Sequence, residues 1–302
     1  MKKRIFLTGA DGFIGRNIIE QLDGKYEFIA PSHKDLDLYD FEQVEKFFKK
    51  NGKFDVVVHS AVRGGNRRVP DMAEILNSNL RMFFNITRCT SYFDKVIYFG
   101  SGAEFGKEKP IKLISETDLD SGVPSDNFGF YKYICAKYIE GSEKILNLRL
   151  FGVWGKYEDY SVRFISNAIC KTLFGLPITI RQNVYFDYLY IDDLIKILDF
   201  FIKGEVKYKN YNIGTGKPIG LLSIAEKVKA VSGGQSKIIV KNRGLGNEYT
   251  CNNGRLISEI GKFEFSDFDF DLGELYEWYK KMKSKLSKEL LLSDYFGQLK
   301  TN

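Results

Sequence analysis

The chain has 302 residues, enough to bury a full core as one large domain or two unequal lobes. Its formal charge of +6 comes from lysines spread along the chain, with a local excess at Lys280, Lys281, Lys283, Lys285 and Lys288. No basic stripe is interleaved with aromatics, which disfavours nucleic-acid binding and leaves an anionic small-molecule substrate.

Cys89, Cys135, Cys170 and Cys251 have no close pairing, so neither a zinc site nor a disulfide framework is expected, and they read as reduced thiols of a cytoplasmic protein. The apolar run after Met1-Lys2-Lys3-Arg4 stops at Thr8-Gly9, too short for a signal sequence. No stretch approaches the roughly 18 apolar residues of a membrane span. A soluble protein is expected.

Arg4 to Thr8 reads as a strand, and Phe13, Ile14, Ile18, Ile19 and Leu22 recur at helical spacing. Gly9, Gly12 and Gly15 fall between them. Glu27 to Pro31 reads as a second strand and Asp40 to Lys49 as a helix. Phe54 to Ser60 is almost wholly apolar, as a central parallel strand covered on both faces should be. Pro70 to Tyr92 is predicted helical, Lys95 to Ser101 a strand, the region of Tyr133 and Lys137 a helix, and Ile145 to Phe151 a strand. Strands alternating with helices at this spacing predict a Rossmann-type α/β fold, a doubly wound parallel sheet with right-handed crossovers.

Beyond Gly152 the pattern loosens. Val162 to Phe174 reads as a helix, Val184 to Tyr190 as a strand, and Ile191-Asp192-Asp193-Leu194 as a helix start with acidic caps. A strand ends in Asn212-Ile213-Gly214-Thr215-Gly216, Leu221 to Val231 is an amphipathic helix, Lys237 to Val240 a short strand, and a last helix begins near Leu272. The expected division is a dinucleotide-binding domain over 1–151, to which 184–203 returns, and a smaller mixed α/β substrate lobe over 152–302.

The three glycines place backbone where it can approach a pyrophosphate and hand it a helix N-terminus. Their spacing is Gly-x-x-Gly-x-x-Gly, and the flanking strand and helix make the signal specific to dinucleotide binding. An NAD site usually meets an acid at the end of the second strand. Here Ser32, His33 and Lys34 stand there, donors and a positive charge that suit a 2′-phosphate, so NADP is favoured over NAD; Asp37 and Leu38 suit the adenine. Tyr133 and Lys137, four residues apart, share a helix face, where the ammonium can stabilise a phenolate.

With Gly9, Gly12, Gly15, Asp37-Leu38, Ser101, Tyr133 and Lys137 in register, the chain resembles the extended short-chain dehydrogenase/reductases, the NAD-dependent epimerase/dehydratase family acting on nucleotide sugars. The resemblance runs to about Trp278 and includes Leu148 to Gly155, Tyr188 to Leu194 and Tyr211 to Gly216. Within the family, Ala61-Val62-Arg63-Gly64-Gly65 and the spacing of Asn79 and Asn85 look closest to the GDP-fucose synthases.

The resemblance implies that Tyr133 is the acid/base, that Lys137 lowers its pKa and holds the nicotinamide ribose, and that Ser101 hydrogen-bonds the reacting oxygen. It implies cofactor contacts at Phe13, Ile14, Ser60 and Ala61, and substrate contacts at Arg63, Asn79, Gly102, Ala103 and Glu104, although strand alternation can turn Glu104 elsewhere. Family dehydratases carry an acidic pair where this chain has Gly102 and Ala103, which argues against dehydration. Double epimerisation needs a cysteine at the position of Ala103 and a histidine in the lobe, whereas the two histidines here are His33 and His59. Phe186 fills a position where an Arg often binds the diphosphate; Arg181, Arg243 or Arg255 can supply that charge.

What survives is NADPH-dependent reduction of a 4-keto-6-deoxy nucleotide sugar, with NAD-dependent 4-epimerisation as the alternative. A third reading, a non-catalytic dinucleotide-binding protein, usually goes with loss of the tyrosine or the lysine. A homodimer through the helices Pro70 to Tyr92 and Ser125 to Lys144 is implied by resemblance.

Overall fold

The computed structural model describes residues 2–64 and 71–293. Its first half runs β1 (Arg4–Thr8), α1 (Phe13–Leu22), β2 (Glu27–Ile29), α2 (Phe41–Asn51), β3 (Phe54–His59), α3 (Ala73–Thr87), β4 (Phe93–Ser101), β5 (Ile111–Ile114), α4 (Asn127–Glu140) and β6 (Ile145–Leu150). The second half adds β7 (Gly152–Trp154), α5 (Phe164–Leu173), β8 (Ile178–Asn183), β9 (Tyr185–Tyr190), α6 (Ile191–Lys203), β10 (Asn210–Ile213), β11 (Pro218–Gly220), α7 (Leu221–Val231), β12 (Ile238–Leu245), β13 (Tyr249–Cys251), α8 (Gly254–Ile260) and α9 (Phe268–Lys281).

Six parallel strands form the main sheet in the order β2-β1-β3-β4-β6-β10. This is the doubly wound Rossmann arrangement. Apolar side chains leave β3 and β6 toward both faces and are buried on both, and separate clusters cover the two sides of the sheet. Asp55, a polar residue in β3, accepts the Arg4 backbone N–H at 2.7 Å.

Of the segment 184–203, β9 pairs with β7, β11 and β13 in a smaller sheet. Helix α6 instead lies against α1, joined by Gln21 to Asp192 and Lys25 to Asp199, each at 2.7 Å. The sixth strand of the main sheet is β10, beyond both. β8 and β12 pair apart as a third sheet.

Some boundaries differ from the sequence reading for local reasons. The helix expected from Pro70 starts at Ala73 among the described residues and gives way after Thr87 to a short 3-10 turn, Thr90–Tyr92; Pro70 itself lies outside them. Asp193, expected as a cap of α6, is buried and accepts from the Ser266 N–H (2.8 Å) and hydroxyl (2.9 Å), tying down the approach to α9. That helix starts four residues early because Asp267 caps the N–H groups of Asp269 and Phe270.

Candidate active site

The glycine turn joins β1 to α1. Gly9 has φ +70°, and a Cβ there would stand 2.7 Å from the Ala61 nitrogen; a Cβ on Gly15 would stand 2.1 Å from the Gly9 carbonyl oxygen. Backbone therefore fills the space a side chain would take, as a cradle for a pyrophosphate requires. No side chain caps α1 and no acid stands in its first turn, so the leading amides at Phe13 and Ile14 are left for an anion, while their side chains pack on the core.

Thr8 locks the neighbouring loop by accepting from the Ser60 (3.2 Å) and Ala61 (3.1 Å) amides and pairing with His59 Nδ1 at 2.8 Å. Burial, with the charge of Lys132 nearby, pulls His59 down to about 3, so its imidazole is neutral.

A cavity of about 250 Å³ opens beside this turn, lined among others by Gly9, His33, Asp37, Leu38, Ala61 and Arg63. Of the cofactor positions expected from the sequence it gathers Gly9, His33, Asp37, Leu38 and Ala61. Ser32 and Lys34 stand just outside it. The Ser32 hydroxyl donates to Asp35 at 2.6 Å, and that bond holds the Asp35 carboxyl below its ordinary value. Asp35 is an acid the sequence reading passed over, one residue past the stretch it considered.

Asn79 needs correction as a substrate contact. Its buried amide accepts the Arg63 N–H (2.9 Å) and donates to the carbonyls of Arg63 (2.8 Å) and Ile75 (2.7 Å), so it positions the Arg63 loop. Asn85 does the same for the Leu38 and Tyr39 carbonyls, both at 3.0 Å. Gly65 lies outside the described residues.

β4 ends at Ser101 and turns at once into a 3-10 turn, Gly102–Phe105. Ser101 Oγ accepts from the Ala103 N–H at 3.2 Å, and Glu104 accepts from the Ser101 N–H at 2.9 Å, a reciprocal cap. This overturns Glu104 as a substrate contact. It is fully buried, paired with Arg149 and bonded by Asn147, in space that the missing side chain of Gly100 leaves open. Gly102 and Ala103 are buried as well. A Cβ on Gly102 would meet the Phe151 ring and the Tyr249 hydroxyl, each at 2.7 Å. That hydroxyl, brought by β13 from the small lobe, lies 3.3 Å from Ser101 Oγ.

The largest correction concerns α4. Tyr133 donates to Asp120 at 3.0 Å, and Lys137 pairs with Asp120 (3.0 Å) and Glu140 (2.6 Å). Partial burial and then the Asp120 bond raise the Tyr133 pKa, while Glu140 and then Asp120 raise that of Lys137. Burial and the carboxylate together outweigh the ammonium at this phenol, the reverse of the expected activation.

The lysine that reaches the sheet is Lys132. It is buried, donates to the carbonyl of Phe99 two residues before Ser101, lies 4.4 Å from the Tyr98 ring, and is pulled down to about 8 by burial. One turn before it stands Phe128, with its ring centroid 6.0 Å from Lys132 Nζ. The next residue, Gly129, is pressed on the serine turn so closely that a Cβ would lie 2.8 Å from the Ala103 carbonyl. Positions 128 and 132 share the face toward the end of β4; 133 lies 100° further round. A phenylalanine therefore stands one turn before the buried lysine, whereas the expected tyrosine, Tyr133, stands one turn before Lys137 on another face. The buried positions Tyr131, Lys132, Cys135 and Ile139 carry the signal in the sequence that singles out Lys132. For Tyr249 no such signal exists.

Arg181 and Arg243 stand exposed on β8 and β12, a different sheet from those bearing Ser101 and Tyr249. Arg255 donates to the Asn210 carbonyl at 3.0 Å and lies 4.4 Å over the Tyr208 ring. Phe186 packs against Tyr249 at a tilt of 51°, with ring centroids 5.8 Å apart, as an aromatic wall.

The model of the NAD dependent epimerase/dehydratase family matches residues 5–214. A GDP-L-colitose synthase of Yersinia pseudotuberculosis is 24% identical over 93% of this chain and 99% of its own length. A GDP-L-fucose synthase of Azorhizobium caulinodans is 24% identical over 92% of this chain and 96% of its own. Among solved structures, the GDP-mannoheptose C4 reductase of Campylobacter jejuni with NADP bound superposes with TM-score 0.80 at 20% identity, covering 92% of this chain and 98% of that one.

Proposed function

This chain belongs to the NAD dependent epimerase/dehydratase family, and we propose that within it the chain is an NADPH-dependent reductase of the C4 ketone of a GDP-linked deoxysugar. The observation that carries this reading is the sealed slot after Ser101. Gly102 and Ala103 are buried, and Phe151 and Tyr249 close on Gly102, so the first acid of a dehydratase pair has no room there, and no thiol of an epimerase is present. A hydroxyl at the reacting oxygen remains, which is what simple carbonyl reduction uses.

GDP is named because the relatives are a GDP-L-colitose synthase and a GDP-L-fucose synthase. NADPH is favoured because His33 and Lys34 stand exposed at the end of β2, and because the superposed C4 reductase carries NADP. The cradle at Gly9 and Gly15 fits a dinucleotide pyrophosphate, and the cofactor, when bound, supplies the hydride. Gly12 and the α1 amides hold the pyrophosphate, Asp37 and Leu38 flank the adenine, Lys132 serves the nicotinamide ribose, and Ser101 orients the ketone oxygen. The same reading includes a homodimer through α3 and α4, where Tyr138 is 45% exposed beside Phe83 and Phe84.

The test is to denature the purified protein, identify any released dinucleotide by mass, and then supply NADPH or NADH with GDP-4-keto-6-deoxymannose. Net NADPH consumption with one alcohol product supports the reading. Tightly held NAD with no net consumption of reduced cofactor overturns it in favour of a 4-epimerase.

A further inference from the structure

The family dyad places a phenol one helical turn before its lysine. In this chain the lysine that reaches the end of β4 is Lys132, and the residue one turn before it is Phe128, which has no proton to give. Tyr133 is turned to Asp120. The described phenol that bonds Ser101 is that of Tyr249, 3.3 Å from Ser101 Oγ. Resting on the reductase reading above, we propose that Tyr249, delivered by the small lobe, is the proton donor of the reaction in place of a tyrosine on α4.

Three features support the assignment. A hydroxyl 3.3 Å from Ser101 Oγ can share one acceptor with it, so a ketone oxygen held by Ser101 lies within reach of both. Gly102 makes this approach possible, since a Cβ there would stand 2.7 Å from the Tyr249 oxygen. The ring is fixed by Phe151 and Phe186, with centroids 5.2 and 5.8 Å away.

In the step itself, hydride from NADPH forms the new C–H bond at the carbonyl carbon. The C=O π pair moves to oxygen, and that oxygen takes the Tyr249 proton. NADPH is oxidised to NADP+ and the ketone reduced to a secondary alcohol; water then returns a proton to the phenolate.

The test compares wild type, Tyr249→Phe, Phe128→Tyr, the double variant and Tyr133→Phe, each assayed for NADPH binding and for NADPH oxidation with GDP-4-keto-6-deoxymannose. Tyr249→Phe is expected to keep NADPH binding within about twofold and to lose on the order of 100-fold in kcat. Adding Phe128→Tyr is expected to restore about tenfold, because it returns a phenol one turn before Lys132; a purely structural defect would gain nothing from that change. Near-normal kcat in Tyr249→Phe, or an equal loss in Tyr133→Phe, overturns the assignment while leaving the reductase reading intact. Absence of turnover by the wild type on any 4-keto sugar overturns the reductase reading and this assignment with it.

Discussion

Glu104 and Arg149 form an ion pair from which solvent is wholly excluded, directly beneath the turn that presents Ser101. Glu104 also accepts the Ser101 N–H, and Arg149 reaches Asn210 and Asn212 on β10. The pair thus ties the serine turn to the far strand of the sheet.

Removing one partner leaves the other charge buried and unpaired, which costs about 3–5 kcal/mol. Glu104→Gln is therefore expected to lower the urea midpoint steeply, and Glu104→Gln with Arg149→Met to recover part of the loss. Equilibrium unfolding of the two variants checks this; a single variant as stable as wild type would show that the pair contributes no more than packing.

The glycine turn makes a graded prediction. Gly15→Ala drives a Cβ onto the Gly9 carbonyl oxygen, backbone that cannot yield, so NADPH binding should be lost together with several degrees of melting temperature. Gly24→Ala, at φ +75° with nothing within 4 Å, should cost only about 1 kcal/mol and leave binding unchanged. NADPH titration of both variants separates a cradle from a generic turn.

Lys132 and Lys137 should behave differently. Lys137 is on an exposed face with two carboxylates, so Lys137→Met should change stability by under about 1 kcal/mol and NADPH affinity hardly at all. Lys132→Met should weaken NADPH by roughly tenfold or more, the loss of one charge-assisted bond to the ribose. Equal effects of the two on NADPH affinity would restore the dyad expected from the sequence.

Glu158 gives a pH dependence of definite sign. Burial lifts it from 4.5 to about 7, while the Ser166 hydroxyl donates to it at 2.6 Å. The folded state binds this proton more tightly than the unfolded chain, so its stabilisation is complete below pH 4.5 and is lost as pH rises through about 7. Glu158→Gln removes that loss, and should be more stable than wild type by ~3 kcal/mol near pH 8 yet similar near pH 4.5. Urea midpoints at the two pH values decide it, an identical difference at both being the contrary outcome.

Much of this protein was legible in its sequence. The strand, glycine turn and helix from Arg4 to Leu22, the apolar run of β3 and the alternation through β6 follow from period and turn residues within windows of ten or so positions, and these dictate the parallel sheet and the family. Ser101 was singled out through the family resemblance, and His33, Asp37 and Leu38, which line the cavity beside the turn, through the residues that follow the second strand. The boundaries of 3-residue strands such as β7 and β13 were not, since so short a run has no period to read.

Which phenol and which ammonium meet at Ser101 was decided only by tertiary structure. Tyr133 and Lys137 have the right spacing, but spacing is blind to which face of α4 turns to the sheet, and Gly129 against Ala103 sets that rotation so that Lys132 points inward. Tyr249 arrives from 148 residues away through the pairing of β13 with β5 and β9. A contact of that separation is made by packing between two sheets, and no local pattern of residues encodes it.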